Sequence, residues 1–111
     1  MKDSVYNKDM IANSGKVRHL RYENLRRSLQ ETVSSWPHLY EHKIIGKNAE
    51  PFREGIKAFE QDFPRLNRKQ AIESKNGAYI SFTYEVLARD VDEIINLWVR
   101  SEEVLDFVTI L

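Results

Sequence analysis

Cysteine is absent from this chain of 111 residues, and long apolar runs are absent as well. Without cysteine there are no disulfides, no thiolate metal sites and no cysteine nucleophiles, and a reducing compartment such as the cytoplasm is compatible. No apolar run approaches the roughly 20 residues that a membrane-spanning helix needs. The first residues, MKDSVYNKDMIANSGK, lack the apolar stretch of a secretory signal. We therefore expect a cytoplasmic protein that does not enter a membrane.

An excess of charge of either sign is also missing. The sequence carries 17 basic and 17 acidic side chains, so its net charge does not support broad electrostatic capture of nucleic acid or of a membrane surface. The charge is nevertheless uneven, because the first 36 residues are basic on balance and the remainder is acidic on balance. The two parts can attract each other, within one chain or between chains, although salt screens surface attraction of this kind.

Recognisable catalytic groupings are missing too. There is no pair of carboxylates placed for acid–base chemistry, no Ser-His-Asp arrangement and no glycine-rich phosphate loop. The histidines are His19, His38 and His42. His38 and His42 share a strand face but are about 13 Å apart along it, too far to bind one metal ion, and His42 is expected to be a half-buried residue of a sheet. The sequence therefore predicts a protein that is not an enzyme and holds neither a metal nor another cofactor.

The front of the chain is predicted to hold a tail and one helix. Residues 1–15 lack periodicity and end at Asn-Ser-Gly, which predicts a flexible tail. Residues 16–36 are predicted to form an amphipathic helix that Pro37 helps to end. Because an isolated helix of this length is marginal in water, its apolar stripe must pack against another surface. The stripe has apolar residues at every third or fourth position: Tyr22, Leu25, Leu29, Val33 and Trp36.

Residues 37–111 are predicted to form a separate domain. Residues 38–46 alternate as a strand, and Asn48 is placed to cap the helix that follows. Gly55 lowers the helix propensity by about 1 kcal/mol relative to alanine, and it allows close packing against a neighbour. The helix presents an aromatic-rich face made of Phe52, Ile56, Phe59 and Phe63.

The middle of this domain is predicted to be a hairpin. Residues 65–73 form a weak strand, with Leu66 and Ile72 expected on one face, and its polarity is typical of a sheet edge. Asn76-Gly77 is a strong turn signal because both residues tolerate positive φ. Residues 79–87 then form the best strand of the chain, with alternate apolar side chains at 80, 82, 84 and 86.

The last predicted elements are a helix and a strand. Asp90 is placed as an N-cap with Glu93 three residues later, as in a capping box. The helical face that follows is Val91, Ile94, Ile95 and Trp98. Residues 104–111 form the final strand, in which both alternating sets contain apolar residues.

The order β-α-β-β-α-β predicts a ferredoxin-like α+β sandwich. In this fold one four-stranded antiparallel sheet carries both helices on one face, and the other face is left open. The helix of residues 16–36 is additional to this unit.

Three stretches resemble the uncharacterised YbeD-like family of small bacterial proteins: WPHLYEHKIIGKN, SKNGAYISFTYEV and a short strand at the C-terminus. The resemblance covers residues 36–111, and residues 1–35 are interpreted as an added extension. It implies a ferredoxin-like fold that is similar to ACT-type regulatory domains, with a regulatory or ligand-sensing role. It implies no established activity and no catalytic residues.

One candidate ligand site follows from the resemblance to ACT domains. Amino-acid-binding ACT domains often use a glycine-containing turn between the first strand and the first helix. The corresponding turn is Gly46-Lys47-Asn48, where Lys47 and free amides at the helix start offer a place for a carboxylate. A plain strand-to-helix turn accounts for the same residues.

Single-stranded RNA is the second alternative. The stretch KNGAYISF partly matches the RRM signature, but Gly77 stands where an exposed aromatic is required. Tyr79 remains outward, yet Glu41 and Glu85 share its face and repel phosphates. The basic run of residues 16–27 is interpreted as a solvated helix face rather than as a nucleic-acid contact.

The leading hypothesis is a non-enzymatic regulatory or protein-interaction module. Its partner is predicted to be another protein or a second copy of the chain, which contacts the open sheet face and the N-terminal helix. The predicted contact residues are Tyr22, Leu25, Leu29, Leu39, Ile45 and Tyr79. The N-terminal helix can pack on the open face of its own chain or on another molecule, and the intramolecular arrangement is slightly favoured.

Overall fold

The structure, a computed structural model, describes the backbone of residues 8–111 and the side chains from Leu20 onward. The chain falls into two compact units that divide between Ser34 and Ser35. The first contains one helix, α1 (Lys8–Thr32). The elements of the second are β1 (His38–Lys47), α2 (Glu50–Asp62), β2 (Asn67–Glu73), β3 (Tyr79–Ala88), α3 (Val91–Glu102) and β4 (Phe107–Ile110).

Helix α1 differs from the sequence prediction at both ends. It begins at Lys8, within the segment predicted as a tail, and it ends at Thr32 rather than at Trp36. Asn13, Ser14 and Gly15 each lower helix propensity by only about 1 kcal/mol or less, which is not enough to end a helix. Residues 1–7 of the predicted tail, and the side chain of His19, lie outside the described residues.

The second unit has the predicted ferredoxin-like topology. Its four strands form one antiparallel sheet in the order β2-β3-β1-β4. Helices α2 and α3 both pack on the sheet face that carries Ile44 and Tyr84. The predicted sandwich, with two helices on one side of the sheet, is therefore confirmed.

The core forms where the strand alternation meets the apolar stripes of the helices. Its fully buried residues come from the sheet and from both helices: Ile44, Tyr84, Phe52, Ile56, Ile94 and Leu97. Tyr84 also anchors α2, because its hydroxyl donates a 2.6 Å hydrogen bond to Glu60, and burial raises the pKa of Tyr84. The predicted buried face of α2 is thus present, with Phe59 only 2% exposed.

Close packing explains two glycines. A Cβ atom on Gly46 would lie 2.3 Å from the ring of Phe52, and one on Gly55 would lie 2.6 Å from Val104. Real Cβ contacts are never this short, so both positions require a residue without a side chain. The predicted role of Gly55 as a point of close approach is confirmed.

The sequence predicted the N-cap of α3 correctly and the N-cap of α2 incorrectly. Asp90 caps α3 as predicted, since its Oδ1 accepts a 2.9 Å bond from the Glu93 amide. Glu93 Oε1 in turn accepts a 2.8 Å bond from the amide of Arg89. The prediction for Asn48 is wrong, because Ala49 is the N-cap of α2 and makes no side-chain cap bond. Asn48 instead donates to the Gly77 carbonyl at 3.0 Å, joining this turn to the hairpin.

Two register shifts correct the predicted strand faces. The shift in β2 between Arg68 and Gln70 reverses the alternation, so Leu66 packs against the core while Ile72 is 49% exposed on the other side. The register of β1 against β4 shifts between Ile45 and Gly46, and this shift decides which residues of the last strand face the core. Phe107 packs against the core and Ile110 is buried, although their spacing does not follow strict alternation.

Candidate functional site

The sheet has a second face that no helix of residues 35–111 covers. Because side chains alternate along a strand, every residue next to a core residue on β1 and β3 points to this outer face. Antiparallel register places these residues opposite one another in five rows, which are Leu39–Leu87, Glu41–Glu85, Lys43–Thr83, Ile45–Ser81 and Lys47–Tyr79. Strand β2 adds Gln70 beside Thr83 and Ile72 beside Ser81.

Apolar side chains occupy the two ends of the outer face. At one end Leu39 and Leu87 form a cross-strand pair and are 59% and 50% exposed. At the other end Ile45, Ile72 and Tyr79 surround the small side chain of Ser81, leaving a shallow depression of about 170 Å³. One end of the face is therefore an exposed leucine pair, and the other contains a shallow recess.

Charged side chains separate the two apolar ends. Glu41 and Glu85 lie directly opposite each other on neighbouring strands, an arrangement that destabilises a sheet. Lys69 lies 3.9 Å from Glu85 and relieves this repulsion only in part. Lys43 occupies the next row of the face. The outer face thus carries an acidic row beside a row with a lysine.

His42, predicted as a half-buried residue of the sheet, is instead fully buried within a polar network. Its Nε2 lies 2.8 Å from Ser101 Oγ, and Ser101 donates its own proton to the Leu97 carbonyl at 2.6 Å. Nε2 must therefore carry a proton and donate it to Ser101. Nδ1 then accepts from the Tyr40 hydroxyl at 3.3 Å, which accepts from the indole of Trp98 at 2.7 Å.

This network is structural rather than nucleophilic. Burial lowers the pKa of His42 to about 4, so the ring is neutral at pH 7. Ser101 directs its proton away from the imidazole, which is the reverse of what a serine nucleophile requires. The network joins β1 to α3 with every polar atom of the ring bonded.

The turn proposed as a ligand site has most of its donors in use. The amides of Lys47, Asn48 and Ala49 donate to Asp106, Ala78 and Lys47 carbonyls at 2.8–3.0 Å. The expectation of free amides is therefore wrong for these three positions. Gly46 is explained by its contact with the Phe52 ring, and the next residues, Glu50 and Pro51, offer a negative charge and a position without an amide proton. A carboxylate ligand of Gly46, Lys47 and Asn48 stays a prediction without geometric support.

A larger cleft of about 750 Å³ lies between the end of α2 and the start of α3. Its cations are paired within the protein, because Arg65 and Arg89 both bind the carboxylate of Glu93. Bonds from these arginines lower the pKa of Glu93 in spite of its partial burial. The cleft therefore offers little uncompensated charge to an anionic ligand.

The described part of the chain has no group of three histidine or carboxylate side chains arranged to hold a metal ion. Among the described helices, none has the length and apolarity needed to cross a membrane.

The outer face does not resemble an RNA-stacking platform. Among the outer-face residues of β1, β2 and β3, Tyr79 is the one aromatic residue, and it is 45% exposed. RRM domains, in contrast, stack two or three bases on aromatic rings. The Glu41–Glu85 pair is confirmed to lie on this face. RNA binding has no geometric support beyond this single ring.

The predicted contact residues fall into two groups. Tyr22, Leu25 and Leu29 lie along α1 in the first unit and are half-buried. Leu39, Ile45 and Tyr79 share the outer face, but Leu39 belongs to the leucine pair at one end and the other two line the depression at the other end. Sequence reasoning missed Leu87 and Ile72. Extending the alternation of β3 by one step finds Leu87, whereas Ile72 becomes visible only once the β2 bulge is known.

Comparison with solved structures shows the fold. The chain is similar to the crystal structure of the ACT domain from the GTP pyrophosphokinase of Chlorobium tepidum, with a TM-score of 0.53 and 14% identity over 66% of this chain and 94% of that domain. It is also similar to the solution structure of protein HP0495 from H. pylori, with a TM-score of 0.48 and 18% identity over 69% of this chain and 84% of that one.

Sequence comparison gives a family but no activity. None of the curated proteins matches this sequence. The family described as "Protein of unknown function (DUF493)" matches residues 31–106, which is more than half of the chain. This is the YbeD-like family that the sequence resembles. The chain belongs to the DUF493 family, and its domain has the ferredoxin-like fold seen in ACT domains.

Proposed function

We propose that this protein is a non-enzymatic regulatory module that acts by binding another protein through its outer face. The observation that carries the proposal is the pair of apolar ends, one an exposed leucine pair and one with a recess, on a sheet face that no helix of residues 35–111 covers. Exposed apolar patches bordered by polar residues are typical of protein contact sites, and here two such patches flank a charged row. Leu39 and Leu87 are about half exposed, so burying the rest of one of these side chains contributes roughly 1 kcal/mol, about half the value for a fully exposed leucine.

The charges of the face indicate what kind of surface it binds. Glu41 and Glu85 repel each other across the strands, and a basic group placed over them relieves that repulsion. The expected partner is therefore a protein surface with apolar side chains at two points and a basic residue between them. The partly exposed Lys43 calls for an acidic residue in the adjacent position.

Site-specific crosslinking in cells tests this function. Leu87 is replaced with the photo-crosslinking residue benzoylphenylalanine in the full chain. The control carries the same residue in place of Lys57, which lies exposed on α2 on the opposite side of the molecule. We expect a discrete protein adduct from position 87 and none from position 57. Equal labelling from both positions, or no adduct from position 87, contradicts the proposal.

A further inference from the structure

We infer that the protein bound by the outer face is a second copy of this chain, stacked face to face about a twofold axis that runs across the strands. This inference rests on the proposed function, because it names the occupant of the same surface. It follows from the order of the first four of the five rows, which makes this part of the outer face complementary to itself; the fifth row, Lys47–Tyr79, lies beyond the overlap of the two copies.

The rows are complementary when two copies stack with their strands antiparallel. In a twofold interface, residue i contacts residue j and residue j contacts residue i. An axis that passes between the Glu41 row and the Lys43 row places Glu41 of each copy over Lys43 of the other. The same axis places Leu39 over Ile45 and Leu87 over Ser81, since the rows are two residues apart on both strands.

Charge selects this arrangement over the alternative twofold stacking. If the axis runs along the strands, each row lies over the same row of the second copy. Glu41 and Glu85 of one copy then face Glu85 and Glu41 of the other, which brings four carboxylates together. Like charges placed opposite each other at an interface cost several kcal/mol, so the axis across the strands is favoured.

Shape supports the same arrangement. Leu87 is 50% exposed on β3, and the axis across the strands carries it to Ser81 of the second copy. Ser81 forms part of the depression of about 170 Å³ between Ile45, Ile72 and Tyr79. A cavity of about 150 Å³ accommodates benzene, so the depression has room for a leucine side chain. Each copy inserts one leucine and receives one.

The area of the face sets the strength that we expect. Strands β1 and β3 span all four of these rows, β2 reaches three of them, and β4 reaches only the rows near Ile45. With strands about 4.8 Å apart and rows about 6.7 Å apart, this part of the face covers roughly 400 Å² per copy, or about 800 Å² in total. An area of this size is typical of weak, transient complexes. The dimer should therefore form reversibly, with a dissociation constant on the order of 100 micromolar.

Exchanging the two charges tests the inference by sedimentation of the full chain. Glu41→Lys alone places lysines opposite lysines, and Lys43→Glu alone places glutamates opposite glutamates. Because each contact occurs twice in a twofold dimer, we expect either change to weaken self-association by at least about tenfold. An equimolar mixture of the two variants should form a heterodimer about as strong as the unmodified dimer, since every contact then joins opposite charges.

The matched controls are Glu54→Lys and Lys57→Glu, an exposed ion pair on α2 that is far from the outer face. They make the same charge changes and should leave the dimer unaffected. A full chain that stays monomeric at about 500 µM overturns the inference, as does a mixture of the two variants that fails to associate. If the chain is monomeric but position 87 still gives an adduct with a different protein, only the dimer is contradicted. If position 87 gives no adduct at all, the proposed function is contradicted as well.

Discussion

At the scale of single residues, hydrogen bonding explains why position 42 is a histidine, and packing explains why position 46 is a glycine. Neither explanation involves a ligand. His42 is neutral and bonded at both ring nitrogens, to Tyr40 and to Ser101. Gly46 makes room for the ring of Phe52. The sequence predicted His42 as a half-buried sheet residue and Gly46 as part of a ligand-binding turn, and packing and hydrogen bonding account for both residues without a ligand.

Acid should destabilise the fold through His42. The unfolded chain binds a proton at this residue below about pH 6.5, whereas the folded chain does so only near pH 4. Stability is therefore fully present above pH 6.5 and falls as the pH decreases from 6.5 to 4, by up to about 1.4 kcal/mol per pH unit and about 3 kcal/mol in all. Urea unfolding across this range measures the slope. His42→Gln should reduce the slope and His38→Gln should keep it; equal slopes in His42→Gln and the unmodified chain contradict the assignment.

Gly46→Ala should destabilise the domain by about 1–3 kcal/mol, because the added methyl group overlaps the Phe52 ring and overpacks the core. The free energy of unfolding in urea measures this cost. Phe52→Leu should be less costly in the Gly46→Ala background than in the unmodified chain, since a shorter side chain leaves room for the methyl group. Additive effects of the two substitutions would show that the glycine is needed for another reason.

At the scale of elements, the periodicity of apolar residues predicted which segments form helices and strands. Bulges and polar core residues limited the prediction of which side chains are buried. The 3–4 spacing of α2 placed Phe52, Ile56 and Phe59 in the core, where the structure has them. The bulge in β2 has no signal in the sequence and inverted the expected face of Ile72. For α3 the predicted face of Val91, Ile94, Ile95 and Trp98 was displaced, because the most buried positions are Ile94, Leu97 and Ser101. A serine is not counted as a core residue until its bond to His42, 59 positions away, is known.

Phe59→Ala should lower the free energy of unfolding by about 3–5 kcal/mol, because a buried ring is removed from the centre of the α2 face. Lys57→Ala on the exposed side of the same helix is the control and should change stability by no more than about 0.5 kcal/mol. Chemical denaturation of the two variants makes the comparison. A cost below about 1 kcal/mol for Phe59→Ala would mean that α2 does not pack as described.

At the scale of the whole molecule, the sequence predicted the open sheet face but not the shape of its surface. Leu39, Ile45 and Tyr79 were identified as outward-facing residues, and the structure confirms their common face. Their division into a leucine-pair end and a recessed end depends on Leu87, on Ile72 and on the small side chain of Ser81. Such a shape arises from side chains of three different strands, so alternation within one strand does not reveal it.

The most direct test of the outer face as an interaction surface is hydroxyl-radical footprinting of the chain in living cells, compared with the dilute purified protein. Leu39, Leu87 and Tyr79 should be labelled several-fold less in cells, because a bound partner covers them. Leu105, 70% exposed in the turn before β4, serves as the internal control and should be labelled equally in both samples. Equal labelling of Leu39, Leu87 and Tyr79 in both samples would contradict the account.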